Sequence, residues 1–122
     1  MCYDDQAQPP QAPGANRTAQ GREIELLAAD GNRFAAYRAL PDAGATARLV
    51  IFPDIRGLHQ FYKDLALRFA EAGVAATAMD YFGRTAGIGP RDESFEFRPH
   101  VEQLTLSAIL DDAAAVLEDL RK

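Results

Sequence analysis

Leu49-Val50-Ile51-Phe52-Pro53-Asp54-Ile55-Arg56-Gly57-Leu58 decides the reading of this chain. Residues 49–52 form an unbroken apolar run of strand length, and the lack of polar alternation predicts a strand covered on both faces, at the centre of a sheet. Pro53 and Gly57 then bracket a tight acidic turn. From Leu58 the period changes: Leu58, Phe61, Tyr62, Leu65, Phe69 and Ala72 mark one face of an α-helix that Gly73 is placed to end. Residues 74–79, Val-Ala-Ala-Thr-Ala-Met, return to extended chain. Strand, helix and strand thus make a crossover unit with a parallel pair.

On the N-terminal side, residues 24–28 and 33–40 flank Asp30-Gly31-Asn32, a triplet that supplies the positive φ of a hairpin turn, so two antiparallel strands are expected there. Pro41-Asp42-Ala43-Gly44 breaks that pattern. Residues 1–21 hold Pro9, Pro10, Pro13, Gly14 and Gly21 with almost no apolar periodicity and read as a disordered N-terminal arm. On the C-terminal side, residues 80–104 form a long connection rich in Gly, Pro and aromatic residues, of the kind that is either functional or disordered. Ile109, Ala113, Val116, Leu117 and Leu120 then trace a second amphipathic helix, with Thr105 or Ser107 as its cap and Asp111 and Asp112 near its positive start. The expected class is α/β, with one domain over residues 22–122.

Composition narrows the function. A net charge of −5 with interspersed signs gives no phosphate-binding surface for nucleic acid. No apolar run approaches the roughly 18 residues of a membrane span, and the N-terminus lacks the basic and apolar regions of a secretion signal, so a cytoplasmic location is expected. Cys2 is the sole cysteine, which excludes an internal disulfide and a cysteine-cluster metal site. His59 and His100 with scattered carboxylates show no ligand spacing, and the glycines of 83–89 do not form a dinucleotide fingerprint. Neither a metal nor a cofactor is implied.

The order of pieces is more specific than any one of them: an apolar strand, Pro-acidic-Ile-x-Gly-Leu, an amphipathic helix, a second strand, and Asp80-Tyr81-Phe82-Gly83-Arg84. Over roughly residues 22–122 this arrangement resembles the dienelactone hydrolase family of the α/β-hydrolase superfamily. The resemblance implies a partial α/β-hydrolase fold: an antiparallel N-terminal hairpin plus parallel strands with flanking helices, truncated before the nucleophile strand. No Gly-x-Ser-x-Gly or Gly-x-Cys-x-Gly occurs in the 122 residues, and the expected place for one lies just past Lys122.

The resemblance assigns roles position by position. The Ile55 N–H corresponds to a loop donor of the oxyanion hole, and Asp54 to an acidic residue beside the family's nucleophile. Read from the residues alone, Asp54 is equally a turn residue or a helix cap. Arg84 and Arg91, with Arg98 as a further candidate, correspond to arginines that hold an anionic substrate, and Arg56 makes this end of the pocket more polar. His59 and His100 read as capping or surface residues, since the family's catalytic histidine comes from further along its sequence. Cys2 has no helix terminus beside it to lower its pKa and is a poor nucleophile.

The expected function is therefore hydrolysis of an ester or lactone bond by a protein of which these residues are the N-terminal half, inactive alone. The alternative is a small α/β module that binds a ligand or partner through residues 80–104 without chemistry. Because strand 49–52 would lie beside an absent strand, its open edge predicts pairing with a complementing C-terminal half or with a second copy.

Overall fold

The computed structural model describes residues 6–12, 14, 18–54, 56–89, 91 and 94–122. Among the described residues, four strands and four helices follow in the order β1 (Ala19–Leu27), β2 (Arg33–Pro41), β3 (Ala47–Ile51), α1 (Gln60–Glu71), β4 (Val74–Met79), α2 (Gly83–Ala86), α3 (Arg98–Gln103) and α4 (Leu106–Leu120). The strands form one mixed sheet, ordered β1-β2-β4-β3.

The hairpin lies where the turn triplet places it: β1 pairs antiparallel with β2, Leu27 opposite Arg33, and Gly31 takes a φ of 92° between them. β1 also takes in Ala19, Gln20 and Gly21, opposite residues 39–41, so the last three residues assigned by composition to the N-terminal arm belong to the sheet. β2 continues the sheet antiparallel to β4, and β4 runs parallel to β3 with Leu49 opposite Ala76. A strand whose residues are mostly small and almost wholly buried, β4, occupies the interior position.

β3 is covered on both faces, and among the described residues it sits at the sheet's edge: not the centre that its apolar run suggests, but the open edge that the resemblance implies. Leu49 and Ile51 pack in the cluster with Phe61, Tyr62, Ala66 and Ala70 of α1. Val50 points the other way, toward the cluster of Phe34, Ala75, Met79, Val116 and Leu120 beneath α4. Two cores thus sandwich one sheet, each driven by removal of apolar side chains from water at about 25 cal/mol per Å².

α4 starts with Thr105, whose hydroxyl accepts from the Ala108 N–H at 3.1 Å and supplies one of the bonds the first turn lacks. At its other end, Arg48 Nε donates to the Leu120 carbonyl at 2.8 Å, and Arg38 Nη1 donates to both Asp119 oxygens at 2.9 Å. These arginines tie the helix to β3 and β2. The carboxyl ends of β3 and β4 therefore emerge side by side.

Candidate active site

Two turns leave the sheet at that end. After β3, the Gly57 N–H donates to the Asp54 carbonyl at 3.0 Å and closes a turn. The Asp54 carboxylate organises it from within: Oδ1 accepts from the Arg56 backbone N–H at 2.9 Å and from Arg56 Nε at 3.4 Å, while Oδ2 accepts from Arg56 Nη2 at 2.9 Å. The Arg56 side chain is wholly buried, and Asp54 keeps 17% of its own exposed. A guanidinium can be buried this way only with its charge matched and its fork hydrogen-bonded.

Burial alone would raise the Asp54 carboxyl, but the hydrogen bonds and charge of Arg56, helped by the Tyr62 hydroxyl, outweigh it and hold the group below its ordinary value. Tyr62 is pushed up to about 12, by burial first and then by the Asp54 charge. Asp54 is a carboxylate and Tyr62 a neutral donor at neutral pH.

The second turn follows β4. Asp80 is 1% exposed; its N–H donates to the Ala35 carbonyl at 3.0 Å and its Oδ1 accepts from the Phe82 N–H at 3.1 Å. Arg91 reaches back from the long connection in a two-pronged pair, Nη1 to Oδ1 at 2.8 Å and Nη2 to Oδ2 at 2.7 Å. Its Nη2 also donates to the Gly87 carbonyl at 2.8 Å, and its guanidinium lies 5.1 Å from the centre of the Phe95 ring. Tyr81 donates its hydroxyl to the Pro53 carbonyl at 2.6 Å and so stitches the second turn to the first. Gly57 completes the join. With φ at +70°, it presents its missing side chain to the ion pair, where a Cβ would stand 2.2 Å from Arg91 Nη1 and 2.9 Å from Asp80 Oδ1.

Arg84, at the start of α2, spans three elements. Nη1 and Nη2 donate to Asp30 in the β1–β2 turn, and Nη2 donates to Asp112 of α4 at 2.9 Å, where Asn32 Nδ2 also donates at 3.1 Å. The hydrogen bond from Arg84 holds Asp30 below its ordinary value, whereas burial, only partly offset by Asn32 and Arg84, raises Asp112. A cavity of about 190 Å³ opens between the turns and the hairpin, lined by Glu23, Ala35, Leu58, Lys63, Asp80, Ile88 and Gly89.

Ile55, the expected oxyanion donor, lies outside the described residues, as does Cys2. Asp54 and Arg56 are brought together as partners. Arg84 and Arg91 share no partner: Arg84 pairs with Asp30 and Asp112, and Arg91 with Asp80. His59 caps α1, its Nδ1 accepting from the Phe61 N–H at 3.4 Å. His100 stacks on Phe95 at 5.1 Å between ring centres and meets the Thr85 hydroxyl at 2.6 Å, which pins α3 against α2. Among the described residues, no group of three or more His, Cys, Asp or Glu could hold a metal ion. Nor is any helix long and apolar enough to cross a membrane. Sequence reasoning placed Tyr62 on the face of a helix and Asp80 and Tyr81 in a motif, with no role at the site for any of them; an aspartate directly following a buried strand was the available signal for Asp80.

The Asp54–Arg56 pair has a pH consequence. A carboxyl whose folded pKa lies below its unfolded value stabilises the fold fully above about pH 4 and loses that contribution as pH falls through the folded value. The urea midpoint of the wild-type chain is therefore expected to drop as pH falls below about 4, and the Asp54→Asn variant to show a shallower drop over that range. Equal slopes would show that the pair contributes nothing.

Comparison with known proteins agrees with this geometry. The dienelactone hydrolase family matches residues 34–122. Among solved structures, a Klebsiella pneumoniae protein described as a dienelactone hydrolase superposes with a TM-score of 0.67 at 23% identity, covering 81% of this chain and 42% of its own. A dienelactone hydrolase-like promiscuous phosphotriesterase from metagenomic libraries gives 0.67 at 20% identity, covering 82% and 41%. A cold-adapted esterase from an Arctic intertidal metagenomic library gives 0.59 at 23%, covering 84% and 44%. The chain spans less than half the length of each. A search of the curated proteins returns no match. With the family matched over most of its length and the partial α/β-hydrolase fold matched in three dimensions, the chain belongs to the dienelactone hydrolase family.

Proposed function

We propose that these residues supply the anion-stabilising side of an ester or lactone hydrolase and are catalytically incomplete by themselves. The observation that carries this reading is the turn from Asp54 to Gly57 at the carboxyl end of β3, braced by the turn after β4. In acyl transfer a nucleophile adds to the carbonyl carbon, the carbonyl oxygen gains charge, and backbone N–H groups preorganised around it lower the barrier. In this reading the Ile55 N–H is one donor, and the residue after the nucleophile supplies the other. Asp54, held by Arg56, fixes the turn, and Arg56, Arg84 and Arg91 stiffen the pocket wall. No nucleophile elbow occurs in the 122 residues, so the attacking group, its histidine and its acid come from another polypeptide segment.

The outer edge of β3 is where that segment docks, because among the described residues β3 pairs only with β4 and offers its other side for strand addition. A second copy of the chain is the competing occupant. A reducing cytoplasm suits the single cysteine. Purified chain at micromolar concentration is expected to leave 4-nitrophenyl acetate at its background rate, and to gain hydrolysis when joined to a C-terminal half bearing the elbow, aspartate and histidine. Turnover by the chain alone, abolished by Ile55→Pro, would overturn the reading.

A further inference from the structure

We propose that the site takes an uncharged ester, one with no carboxylate near the scissile bond. This rests on the hydrolase reading above and names its substrate class. It departs from the role that the sequence suggests for Arg84, Arg91 and Arg56.

An arginine recognises a carboxylate by offering it an open edge of the guanidinium, two parallel N–H groups at matching spacing. Those edges are occupied here. Arg91 gives both Nη groups to Asp80 and a further bond to Gly87, covers Phe95, and has only 6% of its side chain exposed. Arg56 gives Nε and Nη2 to Asp54 and is wholly buried. Arg84 gives Nη1 and Nη2 to Asp30 and Nη2 to Asp112 and to the Ala108 carbonyl, and its Nε, though without a partner, is buried from any ligand. Lys63, in the wall of the 190 Å³ cavity, is bound to Glu23 at 2.5 Å.

Four cations thus face five carboxyls: Asp54, Asp80, Asp30, Asp112 and Glu23. Among these described groups no positive charge is in surplus to attract an anion. A substrate carboxylate could take both Nη groups of Arg91 only by displacing Asp80, whose side chain is 2% exposed and would be left buried without its counter-ion. What the cavity does offer is apolar wall, from Leu58, Ala35 and Ile88. A small neutral acyl or alkoxy group is removed from water there at no electrostatic cost.

The test uses the ¹⁵N-labelled 122-residue chain, titrated in parallel with dimethyl glutarate and with glutarate, against sodium chloride at equal ionic strength. The expected result is saturable shifts of the backbone amides of residues 56–58 and 80–89 with the diester, and no glutarate shift beyond the salt control at the Nε–Hε signals of Arg56, Arg84 and Arg91. The Asp30→Asn variant, altered at a half-exposed position, is expected to free an edge of Arg84 and to gain a saturable glutarate shift there. Saturable glutarate shifts at Arg84 or Arg91 in the wild-type chain would overturn the proposal and leave the hydrolase reading standing. Silence with both compounds would remove the pocket and with it both claims. Glutarate shifts that vanish in Arg98→Ala would overturn it too, by placing the anion on the exposed arginine of α3.

Discussion

Asp80→Ala is expected to destabilise the chain by about 3–5 kcal/mol, the usual result of removing one partner from a buried ion pair. Three losses coincide at that position. Arg91 would be left with its charge uncompensated and only 6% of its side chain in contact with water. The Phe82 N–H would lose its acceptor, and the link that runs from Asp80 through Arg91 to the Gly87 carbonyl would be broken. Against a total stability of about 5–15 kcal/mol for a domain, a change of that size is readily seen in urea unfolding followed by circular dichroism. Replacing both partners, as in Asp80→Leu with Arg91→Met, should recover much of the loss, since the desolvated charges go together. A single-variant loss below about 1 kcal/mol would place the pair in the class of exposed, weakly contributing bridges.

Gly57→Ala is the second large effect, and it acts on the other side of the same contact. A φ of +70° disfavours an L side chain by about 1–2 kcal/mol. The added methyl would also stand 2.2 Å from Arg91 Nη1, inside any tolerable contact, so the guanidinium or the turn must move. If the Arg91–Asp80 pair gives way, the combined loss approaches that of Asp80→Ala. Amide exchange distinguishes the two: Gly57→Ala should speed exchange at residues 56–58 and 80–82 while β1 and β2 stay protected. Unchanged exchange at both turns would contradict the packing described for them.

Much of this architecture is legible in the residues because its signals are local. The apolar run at 49–52, the Asp30-Gly31-Asn32 turn and the helical spacing from Leu58 each specify an element without help from distant chain, and all three fall within two or three residues of the observed bounds. Thr105 caps α4 as its type suggests. The edge position of β3 is different in kind, because it depends on which other strands are present. So are the short helices α2 and α3 inside the 80–104 connection, which are too short to be stable by propensity and are held by Phe82, Phe95 and His100. At the site, sequence spacing brings Asp54 to the correct turn but does not show that Arg56 turns inward, nor that Arg91 finds Asp80 eleven residues back. Asp112 shows the same limit: near a helix start it reads as a charge complementing the dipole, and it is instead buried between Asn32 and Arg84. Pairing between segments far apart in sequence is a tertiary outcome that no local pattern encodes.

The most direct test of the central claim is the backbone amide of residue 55. In a polypeptide joining these 122 residues to a C-terminal half with its nucleophile elbow, Ile55→Pro removes that N–H, and loss of one oxyanion donor lowers kcat by about 10²- to 10³-fold. Hydrolysis of 4-nitrophenyl acetate is expected to fall by that amount, with KM and the urea midpoint nearly unchanged. Full activity in a folded Ile55→Pro protein would contradict it.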